Sequence, residues 1–160
     1  NEEARIINEW FDHMNLVQNR LDPGNKAHIY HWSAAEVNFL QKASNSAYNR
    51  HPDNNWPDPN WFDFLQRVMR QEPVVVRGAH GFGLKAITKA LNNLELIDIE
   101  WPDGTTDGLG AMAGAWWCDQ QAENDGKVLT DYELMDDIRD YNEIDCRAML
   151  EIISYLRIKH

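Results

Sequence analysis

The chain has 160 residues, 43% hydrophobic and 11% aromatic, with a formal net charge of −11. That is enough chain to bury a real core, and the composition excludes disordered and fibrous classes. The acidic balance argues against nonspecific nucleic-acid binding, which relies on Lys and Arg to displace counterions, yet it leaves room for a nuclease whose catalytic groups are carboxylates.

Residues 2–18, EEARIINEWFDHMNLVQ, space Ile6, Ile7, Trp10, Phe11, Met14 and Val17 as one face of a helix. Glu2 and Glu3 suit its first turn. Pro23 and Gly24 end it. AHIYHW, residues 27–32, is short and strand-like, and residues 33–49 resume helical spacing through Val37, Leu40 and Ala43. At that junction Ser33 and Glu36 stand three apart, the spacing of a capping box. RHPDNNWPDPN, residues 50–60, holds three prolines and reads as a loop. WFDFLQRVMRQ, residues 61–71, reads as a helix, with Asp63 structuring it. Val74, Val75 and Val76 form a β-branched run that predicts a short buried strand.

GAHGFG, residues 78–83, lacks both phosphate-loop spacings and reads as a turn. GLKAITKALNNL, residues 83–94, is a helix with Lys85 near its positive end, where a phosphate could be met. ELIDIEW is extended and WPDG turns it. Residues 107–124 are helical, with Trp116 and Trp117 read as core or as a platform for a base. The rest is almost wholly helical, opened by a Thr130/Glu133 capping pair, with Ile144, Met149, Ile152, Ile153 and Leu156 as its inner stripe. Strands alternating with helices favour a layered α/β sheet over a bundle.

Charge is unevenly placed. Residues 67–89 carry Arg67, Arg70, Arg77, Lys85 and Lys89 against Glu72 alone, while residues 123–145 carry nine acids against Lys127 and Arg139. The two strips suit a bound polyanion and a metal, or equally two solvated faces. Cys118 and Cys146 have no C-x-x-C spacing, which argues for two ordinary thiols in an intracellular, cytoplasmic protein. No apolar run approaches the ~18 residues of a membrane span.

The strongest local signal is YNEIDCRAMLEIISYL, residues 141–156. Tyr141 and Asp145 are four apart on one helix, so they share a face; a carboxylate there can bind a metal while a phenol orients a water. This segment resembles the last motif of the DEDD family of 3′–5′ exonucleases, in the subgroup with Tyr before the final Asp, which has an RNase H-like fold. HWSAAE resembles that family's second motif, with His31 ending a strand and Glu36 where Asp is usual. Closer still are RNase H-like nucleases found beside RecB-type or helicase domains, which resemble this chain in order at Tyr30-His31-Trp32, Glu36, Asp63-Phe64, Gly83-Leu84-Lys85 and Tyr141-Asn142-Glu143-Ile144-Asp145-Cys146.

The resemblance implies a helix-rich α/β fold of RNase H-like type, with residues 1–160 as a single domain. It implies a metal-dependent nuclease, 3′–5′ exonuclease-like, acting on single-stranded DNA or RNA with Mg²⁺ or Mn²⁺. Asp145 and Glu36 would be metal ligands, Tyr141 would position the attacking water, and His31, Lys85 and Arg77 would meet the substrate. A helicase or another nuclease domain could accompany it in the full-length protein. The family's opening Asp-x-Glu strand has no counterpart before residue 28, so the chain reads as an N-terminally incomplete fragment, with activity and inactivity both left open. Asp98-Ile99-Glu100 has that spacing, but using it would need a permuted topology. The competing readings are a noncatalytic RNase H-like module that binds nucleic acid or protein, and an unrelated helical α/β interaction domain.

Overall fold

The structure, a computed structural model, describes residues 2–72, 74–101 and 107–159, of which residues 2, 34–36, 39–41, 43 and 44 are described in backbone only. The chain forms two compact units, Asn1–Val75 and Val76–His160.

The first unit is built on two short parallel strands. Strand β1 is Ile29–His31 and strand β2 is Trp61–Asp63, paired Ile29 with Trp61, Tyr30 with Phe62 and His31 with Asp63. Parallel strands need a crossover. Here it is helix α2, Ala34–Arg50, followed by the proline-bearing loop. Aromatic rings cover the pair: Tyr30 meets Phe62 at 5.1 Å between centroids, and Trp32 stacks on Phe64 at 5.8 Å. Phe64, Leu65 and Met69 are buried beside them.

Helix α1, Glu2–Leu21, is tied in by polar contacts at its N-terminal half. Trp56 Nε1 donates to Asn8 Oδ1 at 2.7 Å, and Glu3 accepts from both Arg50 and His51. The apolar stripe of α1 is less buried than its spacing suggests, for Ile6 and Trp10 stay exposed while Ile7, Phe11 and Met14 are half-buried.

The end of this unit departs from the pattern of its sequence. Residues 61–71 are not one helix: Trp61–Asp63 pairs with β1, and a turn of π-helix occupies Leu65–Arg70, closed by Gln71 N–H to the Gln66 carbonyl at 3.1 Å. Asp63 does structure the turn, since its Oδ1 accepts the Gln66 N–H at 2.9 Å. Val74–Val76 is not a strand; it has no ladder partner among the described residues, and Val75 is exposed.

The second unit packs helices α3, Leu84–Asn93, and α4, Gly108–Asp125, on the long helix α5, Glu133–Lys159. Its core joins Ile87, Thr88 and Leu91 of α3, Ala111 and Cys118 of α4, and Ile138, Ala148, Ile152 and Ile153 of α5. Gly114 allows α4 to come close, since a Cβ there would lie 3.1 Å from Leu134 Cδ2. Asp107 caps α4 by accepting the Gly110 N–H at 2.8 Å, and Gly126 ends the helix in the left-handed region at φ 65°.

The opening of α5 differs from expectation. Thr130 lies inside a 3₁₀ turn, Leu129–Asp131, so it cannot pair with Glu133 across the helix start. Asp131 instead folds back to accept the Val128 N–H at 3.2 Å. Of the expected WPDG turn, residues 102–104 lie outside the described residues.

Candidate functional site

The segment Ile97–Trp101 follows α3 without regular secondary structure, with Ile97 and Ile99 buried and Asp98 and Glu100 exposed. This alternation delivers Trp101 to α5, where its Nε1 donates to Asp145 Oδ1 at 2.9 Å. One helical turn before, Tyr141 is buried on the same helix face as the Asp145 carboxylate. The carboxylate is thus held by the indole N–H and flanked by the phenol.

Lys85 completes the cluster. From the second residue of α3 its Nζ lies 4.7 Å from the centre of the Tyr141 ring and 5.5 Å from that of Trp101. An ammonium over two ring faces is held by the ring quadrupoles, typically by ~0.5–1 kcal/mol where solvent reaches it. Lys85, Tyr141 and Asp145, selected from sequence, thus converge in one unit, joined by Trp101, which sequence reasoning did not select.

The electrostatics follow from this packing. The Tyr141 hydroxyl is pushed above the usual phenol range, first by burial, then by the Asp145 charge and hydrogen bond, and last by Asp107. It is therefore a neutral donor at physiological pH. The Cys146 thiol is also pushed up, by desolvation first and then by Asp145. Although Cys146 keeps an exposed surface, its thiol is held in the unreactive form.

The other candidates lie elsewhere. His31 ends β1, buried, with its ring edge toward Trp61; its Nδ1 lies 2.6 Å from the Ser33 carbonyl, which can only accept, so Nδ1 carries the proton. Glu36 occupies the third position of α2, where a capping box places its acid, but its side chain lies outside the described residues. Arg77 is exposed in a turn ahead of α3. Asp98 is exposed, and Glu100 Oε1 accepts from Asn92 Nδ2 at 2.8 Å.

A family model described as the RNase H superfamily matches residues 1–157. The chain belongs to the RNase H superfamily. Searches of curated proteins and of solved structures gave no significant match. The superfamily assignment makes this a nuclease-type domain, and the helix-rich unit with its parallel strand pair is compatible with an α/β fold.

RNase H-like nucleases generally use divalent metals, and Asp145 offers the hard oxygen donors such ions prefer. It matches in kind but is a single carboxylate: among the described residues no group of three or more His, Cys, Asp or Glu could hold a metal ion. No helix of the described residues is long and apolar enough to cross a membrane.

Trp116 and Trp117 are exposed, not core. The small residues Ala111, Gly114 and Cys118 mark the inner face of α4 instead.

Proposed function

We propose that this RNase H superfamily chain is a metal-dependent nuclease domain that hydrolyses phosphodiester bonds of single-stranded DNA or RNA, 3′–5′ exonuclease-like in the manner of the DEDD enzymes with a Tyr-containing last motif. The observation that supports it is the convergence of Lys85, Tyr141 and Asp145. In this reading Asp145 and Glu36 hold Mg²⁺ or Mn²⁺. The ion supplies an activated water and neutralises the leaving oxygen.

The chain's own residues do the positioning. Trp101 fixes the Asp145 carboxylate by its indole N–H. Tyr141, kept neutral by burial, has a proton to donate and can pass that hydrogen bond from Asp145 to a water. Lys85 brings a positive charge to the start of α3, where the helix end adds to its pull on a phosphate. Arg77 extends that charge along the substrate backbone. His31 acts indirectly, holding the β1–α2 junction through the Ser33 carbonyl. A neighbouring helicase or nuclease domain would present the strand.

A second reading is a noncatalytic module that binds nucleic acid or protein. It draws on the single described carboxylate of the cluster and on the net charge of −11. Incubation of the chain with end-labelled single-stranded DNA and Mn²⁺, beside Asp145→Ala, separates the two. The nuclease reading expects shortening by the native chain, its loss in Asp145→Ala, and about tenfold slower shortening by Trp101→Phe, a typical effect for a residue that orients a ligand. Shortening by native chain and Asp145→Ala alike contradicts it, and shortening by neither favours the noncatalytic module.

A further inference from the structure

The outward face of α4 serves neither the core of its unit nor the cluster around Asp145. Leu109, Met112 and Trp116 are spaced three and four apart, so they lie in one row. They are 71, 56 and 68% exposed. Trp117 flanks the row, 49% exposed, with its ring edge toward Tyr132 at 6.2 Å. Along the same row the next positions are Asp119 and Glu123, both exposed. The face is therefore apolar over its first two turns and acidic over its last two. From residue 109 to 123 it spans about 21 Å at helical rise.

Charge decides what suits such a face. Exposed Trp rings could stack on bases, but single strands also need a basic track beneath their phosphates. Helix α4 contains no Lys or Arg, and Lys127, just past its end and 5.6 Å over the Tyr132 ring, is one cation rather than a track. On the adjoining α5, Arg139 already pairs with Asp136 at 2.6 Å and with Asp140 at 3.1 Å. Anionic lipid headgroups would be repelled for the same reason. A basic amphipathic helix fits both halves: apolar side chains against Leu109, Met112 and Trp116, and Lys or Arg one to two turns further on against Asp119 and Glu123.

We propose that the outer face of α4 docks a basic amphipathic helix of about four turns from a partner protein. The proposal is independent of the hydrolase reading, because none of its residues belongs to the Asp145 cluster.

The probe is a fluorescein-labelled 15-residue Leu/Lys amphipathic peptide, followed by anisotropy on the full chain, with a Leu/Glu peptide as counterpart. Since Trp116 is exposed, Trp116→Ala should melt like the native chain, and that melt is recorded alongside. The expected result is saturable binding of the Leu/Lys peptide, weakened about tenfold by Trp116→Ala or by Met112→Ala, as for a central anchor. The double change Asp119→Lys with Glu123→Lys should abolish it and admit the Leu/Glu peptide. Binding indifferent to Trp116→Ala would overturn the proposal as mere charge attraction. Displacement of the peptide by oligothymidylate would overturn it in favour of a base-stacking platform. Self-association of the chain that Trp116→Ala abolishes would assign the face to a second copy instead.

Discussion

Asp145 owes its setting to three side chains from different stretches of sequence: Trp101 donates to it, Tyr141 lies one turn back on the same helix face, and Lys85 lies over both rings. Tyr141 reports on this arrangement. Because its folded-state pKa is raised, the stability it contributes is fully present below its ordinary value near 10 and is lost as pH rises through the raised one. Asp145→Asn removes the Asp145 charge, the second cause of the shift, but leaves burial, the first. A tyrosinate titration at 295 nm should therefore show Tyr141 moving down in Asp145→Asn, yet staying above 10; an unchanged titration would mean the two do not touch. Tyr141 and Asp145 were legible in sequence because i and i+4 on a helix meet by geometry alone. Trp101 was not, since its contact with Asp145 spans 44 residues and no local spacing encodes it.

A different carboxylate, in a largely exposed ion pair, titrates on the acid side. Glu3 is held down to about 2 from 4.5, first by its hydrogen bond with Arg50 and then by that with His51. The sign is the opposite of the Tyr141 case: the contribution is present above 4.5 and lost as pH falls toward 2. In a carbon-detected NMR titration the Glu3 carboxyl should give a midpoint near 2, returning toward 4.5 in Arg50→Ala, while a midpoint near 4.5 in the native chain would show the pair absent from solution.

Among elements, the helices were the legible part, because each repeats its own signal every turn. Residues 83–94 and 107–124 predict helices that the structure places at Leu84–Asn93 and Gly108–Asp125. The strands were not, because a three-residue strand is chosen by its partner. Val74–Val76 has the propensity but no ladder among the described residues, whereas Trp61–Asp63 lies in a helix-like pattern and pairs with β1. Trp116 and Trp117 misled for a related reason: the helix approaches α5 through small residues, so the large ones are turned out.

The end of α3 carries a testable irregularity. Glu95 adopts φ 58°, and the Leu96 N–H reaches the Leu91 carbonyl at 3.0 Å, a helix-ending motif that favours glycine at that position. Glu95→Gly should stabilise the chain by about 1 kcal/mol, since it removes a left-handed side-chain clash. Urea denaturation reads this directly, and destabilisation would show that Glu95 makes a contact worth more than its strain.

At the scale of the molecule, the chain is a nuclease-type domain of the RNase H superfamily with two compact units. The second unit brings together Lys85, Tyr141 and Asp145, while Glu36 and His31 belong to the first. In the proposed function Asp145 and Glu36 would each be a ligand to a divalent ion, which suits their hard oxygen donors. The most direct test is Mn²⁺ binding by the full chain, followed by water-proton relaxation, in the native protein and in Asp145→Asn, Glu36→Gln and Asp98→Asn. The first two variants should each weaken Mn²⁺ binding by at least about tenfold, as loss of a ligand does, and Asp98→Asn should bind as the native chain. Mn²⁺ affinity unchanged in Asp145→Asn, or lost in Asp98→Asn while Glu36→Gln keeps it, would contradict the account.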